Sequence, residues 1–119
     1  SVRAAELARV IIGDDERELF IALYLDARNR IKGGSVVSIG TMTASLVHPR
    51  EVFRAAVAAR AAAVIIVHNH PSGRATPSRQ DRGVTRRLIE AGRTLGVEIA
   101  DHVIVTKDAH FSFREGGIL

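Results

Sequence analysis

The chain of 119 residues contains no cysteine. It therefore has no disulfide framework, no thiolate nucleophile and no cysteine-ligated zinc site, and the paired cysteines of zinc deaminases are missing. Aromatic residues make up only 4% of the chain and tryptophan is absent, so no stacking platform for nucleic-acid bases is recognisable. There is also no apolar run of membrane-spanning length and no signal segment at the start. We therefore expect a soluble, cytoplasmic protein without a membrane partner, in which any metal is bound by histidine, aspartate or glutamate.

Acidic residues are the scarcer charged type, with 13 against 17 basic residues. All of the basic residues except Lys32 and Lys107 are arginine, and they are spread along the whole chain. One local cluster falls on a predicted helix: Arg79, Arg82, Arg86, Arg87 and Arg93. The pattern favours a solvated basic surface, and it leaves open a nucleic-acid partner or the steering of an acidic partner. The length fits one domain, 1–119, that buries its own core.

The most informative motif is His68-Asn69-His70, which follows an apolar, β-branched run over 63–67. Such a run is typical of a strand buried on both faces. Side chains two positions apart on a strand point to the same face, so His68 and His70 can converge on one ion while Asn69 points away. Single histidines are more often surface or satisfied core residues. We interpret the other three in this way: His48, His102 and His110.

A helix is predicted shortly after the two histidines. Thr76 followed by Pro77 favours an N-cap with proline at the first helical position, and apolar spacing continues to about Leu95. Asp81 then lies in the first turns, where its carboxylate can return toward the histidines. Ser78 and Asp81 also have the spacing of a capping box, so Asp81 could instead serve only the start of the helix.

Two imidazoles and one carboxylate suit a catalytic metal site. They leave the fourth position of a tetrahedral zinc open for water, which distinguishes catalytic from structural zinc sites. We therefore predict that His68, His70 and Asp81 bind Zn²⁺. If Thr76 caps the helix, the hydroxyl of Ser78 is not needed for capping and is free for the site.

The order of the remaining elements predicts an α/β domain, with a mixed β-sheet flanked by helices. A short helix with an apolar face of Leu7, Val10 and Ile11 ends at Gly13. The predicted strands and helices that follow are a hairpin of Leu19–Leu25 and Ile31–Ile39, a short strand Thr43–Val47, a helix from Pro49, the strand Ala62–Val67, the helix described above with Gly96 as its stop, a strand Val97–Val105 and a last strand around Phe111 and Phe113.

The residue order resembles a known family of metallopeptidases. His68-x-His70, seven residues, Ser78, two residues and Asp81 match the signature of the JAMM (MPN-domain) zinc metallopeptidases. More closely, His68-Asn69-His70-Pro71-Ser72-Gly73 with Pro77-Ser78-x-x-Asp81, His48-Pro49-Arg50-Glu51 upstream and Asp101-His102 downstream resembles the RadC family over nearly the whole chain. The resemblance implies a single MPN domain, in a layout similar to that of cytidine deaminases.

The resemblance also implies roles for individual residues. A glutamate on an early strand activates the metal-bound water in JAMM enzymes, and the pattern of Glu18-Leu19-Phe20 before an apolar strand favours Glu18, with Glu51 as the second candidate. The hydroxyl of Ser78 would then stabilise the oxyanion. The implied reaction is hydrolysis of a peptide or isopeptide bond. Asp101 is a candidate for orienting a ligand histidine.

Two other functions stay open at this stage. RadC-like proteins have been described as DNA-repair proteins, which implies a nucleic-acid-binding protein or a nuclease, and many MPN domains are scaffolds that have lost their metal. All three ligands and Ser78 are present here, which argues against a scaffold. Full-length RadC-like proteins usually carry a helix-hairpin-helix region before this domain, and this sequence contains no such segment. If the sequence is a fragment from which that region was removed, a DNA-binding role that depends on it would be lost as well.

Overall fold

The computed structural model describes residues 2–40 and 47–119. These residues form three helices and five strands: α1 (Val2–Ile12), β1 (Glu18–Leu25), β2 (Ile31–Gly40), α2 (Pro49–Ala58), β3 (Ala63–Asn69), α3 (Arg79–Leu95), β4 (Glu98–Val105) and β5 (His110–Ser112). The strands make one sheet in the order β2-β1-β3-β4-β5. Only the β3–β4 pair is parallel, so the sheet is mixed, as the sequence predicts. The predicted strand 43–47 lies outside the described residues except for Val47, which is buried.

Helices cover both faces of the sheet. On β1, Phe20 and Ala22 face the core beneath α2 and α3, while Leu19 and Ile21 face the core beneath α1. This arrangement explains why β1 is almost uniformly apolar rather than alternating. Among the described residues, no helix has the length and apolar character needed to cross a membrane.

The buried face of α1 differs from the predicted one. The helix ends before Gly13, as expected, and the backbone of Gly13 has the positive φ of a helix stop. However, the side chains that it buries are Ala4, Ala5 and Ala8, whereas Val10 is 80% exposed. Small alanine side chains let the helix lie close to the sheet, while Val10 and the neighbouring Ile11 stay exposed.

The start of α3 also corrects the prediction. Ser78, not Thr76, is the N-cap: its hydroxyl accepts from the backbone N–H of Asp81, and the carboxylate of Asp81 accepts from the backbone N–H of Ser78. These reciprocal bonds satisfy two donors at the helix start, which Thr76 followed by Pro77 does not do. The helix therefore begins at Arg79 and ends, as predicted, at a left-handed Gly96.

Candidate metal centre

Four side chains converge at the end of the sheet that faces the start of α3. Their ligand-type atoms, from Glu18, His68, His70 and Asp81, all lie within 4.8 Å of one another. His68 and His70 come from the end of β3 and the residue after it, and Asp81 comes from the first turn of α3. The Nε2 atoms of His68 and His70 are 2.9 Å apart, and each lies 3.2 Å from an oxygen of Asp81.

The pairing of β1 with β3 brings Glu18 to this cluster. Phe20 lies directly opposite His68 in the antiparallel register, and its ring stacks on the imidazole with centroids 4.5 Å apart. Glu18 is two residues earlier on the same face of β1, and its Oε1 is 3.7 Å from His68 Nε2. The other candidate, Glu51, lies exposed on α2 beside Arg54, away from the cluster.

Asn69 points away from the histidines, as predicted, and its amide group fixes the start of β1. Its Oδ1 accepts from the backbone N–H of Leu19 at 2.7 Å, and its Nδ2 donates to the backbone carbonyl of Arg17 at 2.9 Å. These two bonds flank Glu18. The middle residue of the His68-Asn69-His70 motif therefore holds the backbone on both sides of the glutamate.

Asp81 serves the helix start and the cluster at the same time. One carboxylate oxygen contacts His68, while the other contacts His70 and accepts from the backbone N–H of Ser78. The two interpretations of Asp81 are therefore compatible. The capping box orients the carboxylate toward the imidazoles, so a local helix-start motif sets the direction of a long-range contact.

The donors and acceptors of this cluster fit a bound cation. His70 Nδ1 is 2.7 Å from the backbone carbonyl of Arg74, which can only accept, so Nδ1 carries a proton and Nε2 of the neutral ring offers a lone pair. This lone pair faces His68 and the carboxylates of Asp81 and Glu18. Facing acceptors need a positive charge between them, which a metal ion supplies, or in its absence a proton on His70.

The pKa shifts of the cluster reflect this arrangement. Burial lowers the pKa of His68, whereas the hydrogen bond with Asp81 raises the pKa of His70. Burial opposes ionisation of Asp81, but its close contacts with His68 and His70 outweigh it and hold the pKa of Asp81 well below its usual range. Burial raises the pKa of Glu18 to about 7 from an ordinary value of 4.5; the charge of His70 opposes this shift and that of Asp81 adds to it.

The raised pKa of Glu18 predicts how the stability of the metal-free protein depends on pH. The folded protein holds this proton more tightly than the unfolded chain, so its contribution is fully present below about pH 4.5 and is lost as the pH rises through about 7. Glu18→Gln removes this loss. Relative to wild type, we expect the variant to gain about 1 kcal/mol between pH 4.5 and about pH 8, after a discount for solvent screening of the half-buried carboxylate.

Urea unfolding of both proteins with a chelator present measures this gain. The contribution of Asp81 has the opposite sign, because it is lost as the pH falls, but it is common to both proteins and cancels. A stability difference that is the same at both pH values would contradict the raised pKa of Glu18.

Two buried polar residues behind the cluster escaped the sequence analysis. His102 on β4 and Thr85 on α3 are fully buried or nearly so, and His68 Nδ1 is 2.7 Å from His102 Nε2. His102 was interpreted above as a satisfied core or surface residue. The signal that could have identified it is its position inside the predicted strand Val97–Val105, where a buried polar side chain needs a hydrogen-bond partner.

Asp101, the predicted orienting residue, does not contact either ligand histidine. Its carboxylate accepts from the hydroxyl of Ser112 and from the backbone N–H groups of His102 and Arg114. It therefore stabilises the turn that follows β5. The prediction was wrong because Asp101 and His102, as neighbours on a strand, point to opposite faces of the sheet, and His102 is the one that faces His68.

An open cleft of about 800 Å³ adjoins the cluster on the side of His70. Its walls are the end of α1, the loop 13–16, the loop after His70 and the end of β4. Asp14, Asp15 and Glu16 give one wall an acidic character, and Lys107 lies on another. The arginines of α3 that were singled out above are all exposed, outside this cleft.

Comparison with known proteins gives one family over the whole domain. The family model described as RadC-like JAB domain matches residues 1–118. UPF0758 proteins of Trichlorobacter lovleyi and Symbiobacterium thermophilum are each 54% identical, over 106 and 102 residues, which are 89% and 86% of this chain but 46% and 44% of the relatives. A UPF0758 protein of Thermotoga maritima is 51% identical over 104 residues, 87% of this chain and 47% of the relative. The chain thus spans about half the length of these curated relatives.

Proposed function

Because the chain belongs to the RadC-like JAB domain family, we propose that it is a zinc-dependent hydrolase of the JAMM metallopeptidase type that cleaves a peptide or isopeptide bond. The observation that carries this proposal is the convergence of Glu18, His68, His70 and Asp81 at one point. A scaffold without metal needs no such set of facing acceptors, and the preference for an amide bond over the phosphodiester bond of a nuclease rests on the family.

His68, His70 and Asp81 would hold the metal. Ligand atoms around a tetrahedral zinc with bonds of 2.0–2.1 Å lie about 3.3 Å apart, and the corresponding separations here are 2.9–3.2 Å. When bound, such an ion supplies Lewis acidity and lowers the pKa of a coordinated water to about 7. The absence of cysteine and the presence of two imidazoles with one carboxylate match catalytic rather than structural zinc chemistry.

Glu18 is the proposed general base. Its carboxylate lies farther from His68 Nε2 than that of Asp81 does, at 3.7 Å against 3.2 Å, so we assign Asp81 as the ligand and Glu18 as the group that would contact the attacking water. A general base works best when its pKa lies near the working pH, and burial raises the pKa of Glu18 to about 7. The same carboxyl group would take a proton from the attacking water and return it to the leaving amine.

Ser78 is the proposed oxyanion donor, even though it also caps α3. Its oxygen accepts from the backbone N–H of Asp81 at 3.0 Å, which uses a lone pair and not the hydroxyl proton. The proton remains available for a developing negative charge on the substrate. Ser78 can therefore cap α3 and still donate its hydroxyl proton in the site.

The cleft beside His70 is the proposed place for the substrate chain. Its volume of about 800 Å³ falls within the range of ligand pockets, and an extended peptide needs an open cleft rather than an enclosed cavity. The chain covers about half the length of its relatives, so the substrate class of the whole protein is likewise part of the proposal.

The test is a hydrolysis assay of the zinc-loaded protein against two fluorogenic libraries, one with α-peptide bonds and one with ε-lysyl isopeptide bonds. We expect turnover of at least one library that stops on chelation and returns when zinc is added. Zinc-loaded, folded protein that cleaves neither library would contradict the peptidase proposal, and the library that is cleaved identifies the bond type.

A further inference from the structure

His102 and Thr85 form a buried chain of hydrogen bonds that ends on His68. All three side chains are buried: His68 and His102 are 0% exposed, and Thr85 is 3% exposed. His68 Nδ1 is 2.7 Å from His102 Nε2, and His102 Nδ1 is 2.5 Å from the hydroxyl of Thr85. The residues come from β3, β4 and α3, so these hydrogen bonds link the three elements that surround the cluster.

The donor and acceptor in each of these hydrogen bonds follow from the bond between Thr85 and Asp81. The hydroxyl of Thr85 is 2.9 Å from the backbone carbonyl of Asp81, and a carbonyl can only accept. Thr85 therefore donates its single proton to Asp81 and must accept from His102 Nδ1. His102 then carries its proton on Nδ1 and presents a lone pair at Nε2, which can only accept from His68 Nδ1.

The result for His68 is a fixed tautomer. With the proton held on Nδ1, the Nε2 atom has a free lone pair, and this atom faces His70 and Asp81. A protonated His102, or one with its proton on Nε2, would reverse the bond and place the proton of His68 on Nε2, where it would block a metal.

Two phenylalanines hold the planes of these rings. Phe20 stacks on His68 with centroids 4.5 Å apart and an angle of 10°, and Phe113 stacks on His102 at 4.4 Å and 15°. Two of the four phenylalanines in the sequence therefore pack on the faces of the two imidazoles. Rotation of either ring, which would exchange its two nitrogens, is therefore opposed by packing on its face.

We propose that Thr85 and His102 are positioning residues that set the tautomer of His68 for metal binding, with the direction of the relay determined by the backbone carbonyl of Asp81. This inference rests on the metal site of the proposed function, but it does not depend on the reaction. The relay starts at the residue that also supplies a ligand, so the backbone and the side chain of Asp81 act on the same site.

The experiment compares Thr85→Val with Thr85→Ser. Valine keeps the volume and burial of threonine but cannot accept from His102, whereas serine keeps the hydroxyl. We expect Thr85→Val to weaken zinc affinity about 10-fold or more, within the range for loss of an outer hydrogen-bond partner, and Thr85→Ser to stay close to wild type. Zinc affinity is measured by competition with a chromophoric chelator, and thermal unfolding of the metal-free proteins checks the fold.

A second readout is independent of metal affinity. Long-range ¹H–¹⁵N NMR of the metal-free wild type should show protonated Nδ1 and unprotonated Nε2 for both His68 and His102, and Thr85→Val should reduce the Nδ1–H form of His102. A proton on His68 Nε2 in the wild type, or equal zinc affinity of Thr85→Val, Thr85→Ser and wild type, would overturn the proposal. If zinc affinity and tautomers behave as expected but no amide is cleaved, the relay stands and the peptidase proposal fails.

Discussion

His68→Ala is expected to lose bound zinc. Its zinc affinity should fall by more than the ~10–100-fold that results when a ligand only loses its supporting hydrogen-bond partner. His68 is fully buried, its Nε2 atom faces His70 and Asp81, and no other side chain among the described residues can occupy its place opposite Phe20. Asp81→Asn should have a similar effect for a different reason. The amide oxygen can still accept from the backbone of Ser78 and cap α3, but the negative charge between the two histidines is gone.

Elemental mass spectrometry and a zinc titration measure this loss. His48→Ala is the matched control, because His48 is exposed at the start of α2 and makes no side-chain capping bond. We expect both this variant and the wild type to bind about one zinc per chain, the stoichiometry of a single catalytic centre. Wild-type zinc affinity in both His68→Ala and Asp81→Asn, with the fold intact by circular dichroism, would contradict the assignment of the ligands.

Glu18→Gln is expected to reduce hydrolysis by about 10²- to 10⁴-fold, the contribution typical of a general acid–base, while zinc remains bound. Glutamine has nearly the same shape and keeps the start of β1, which Asn69 holds from both sides of residue 18. It cannot take up a proton. The loss should therefore appear in kcat rather than in zinc content, and that combination separates a base from a ligand.

Glu51→Gln is the matched control for this substitution. Both glutamates were candidates in the sequence, but Glu51 is exposed on α2, where its carboxylate lies 4.0 Å from Arg54. We expect its kcat to equal that of wild type. The pair is measured with the library substrate that the wild type cleaves. Activity of Glu18→Gln within a few-fold of wild type would remove Glu18 from the mechanism, and a loss confined to Glu51→Gln would reverse the assignment.

The part of the site that the sequence predicts best is the part that depends on local geometry. A β-branched run predicts the strand that carries His68, and the period of two along a strand separates the histidines from Asn69, as the structure confirms. The start of α3 was misplaced by two residues, since Thr76-Pro77 and Ser78-x-x-Asp81 are competing local signals. The reciprocal hydrogen bonds of the capping box decide between them, and a sequence shows only that both are available.

By itself, the sequence determined the mixed α/β order of elements and the strand and helix that carry His68 and Asp81, because spacing and capping act over a few residues. Only the tertiary structure decided which distant residues join them. The β1–β3 register brings Glu18 and Phe20 to His68 across about fifty positions, and the packing of β4 and α3 places His102 and Thr85 behind it. Strand register and helix packing follow from the burial of surfaces that are far apart in the sequence, and a local sequence pattern does not show which of these surfaces meet.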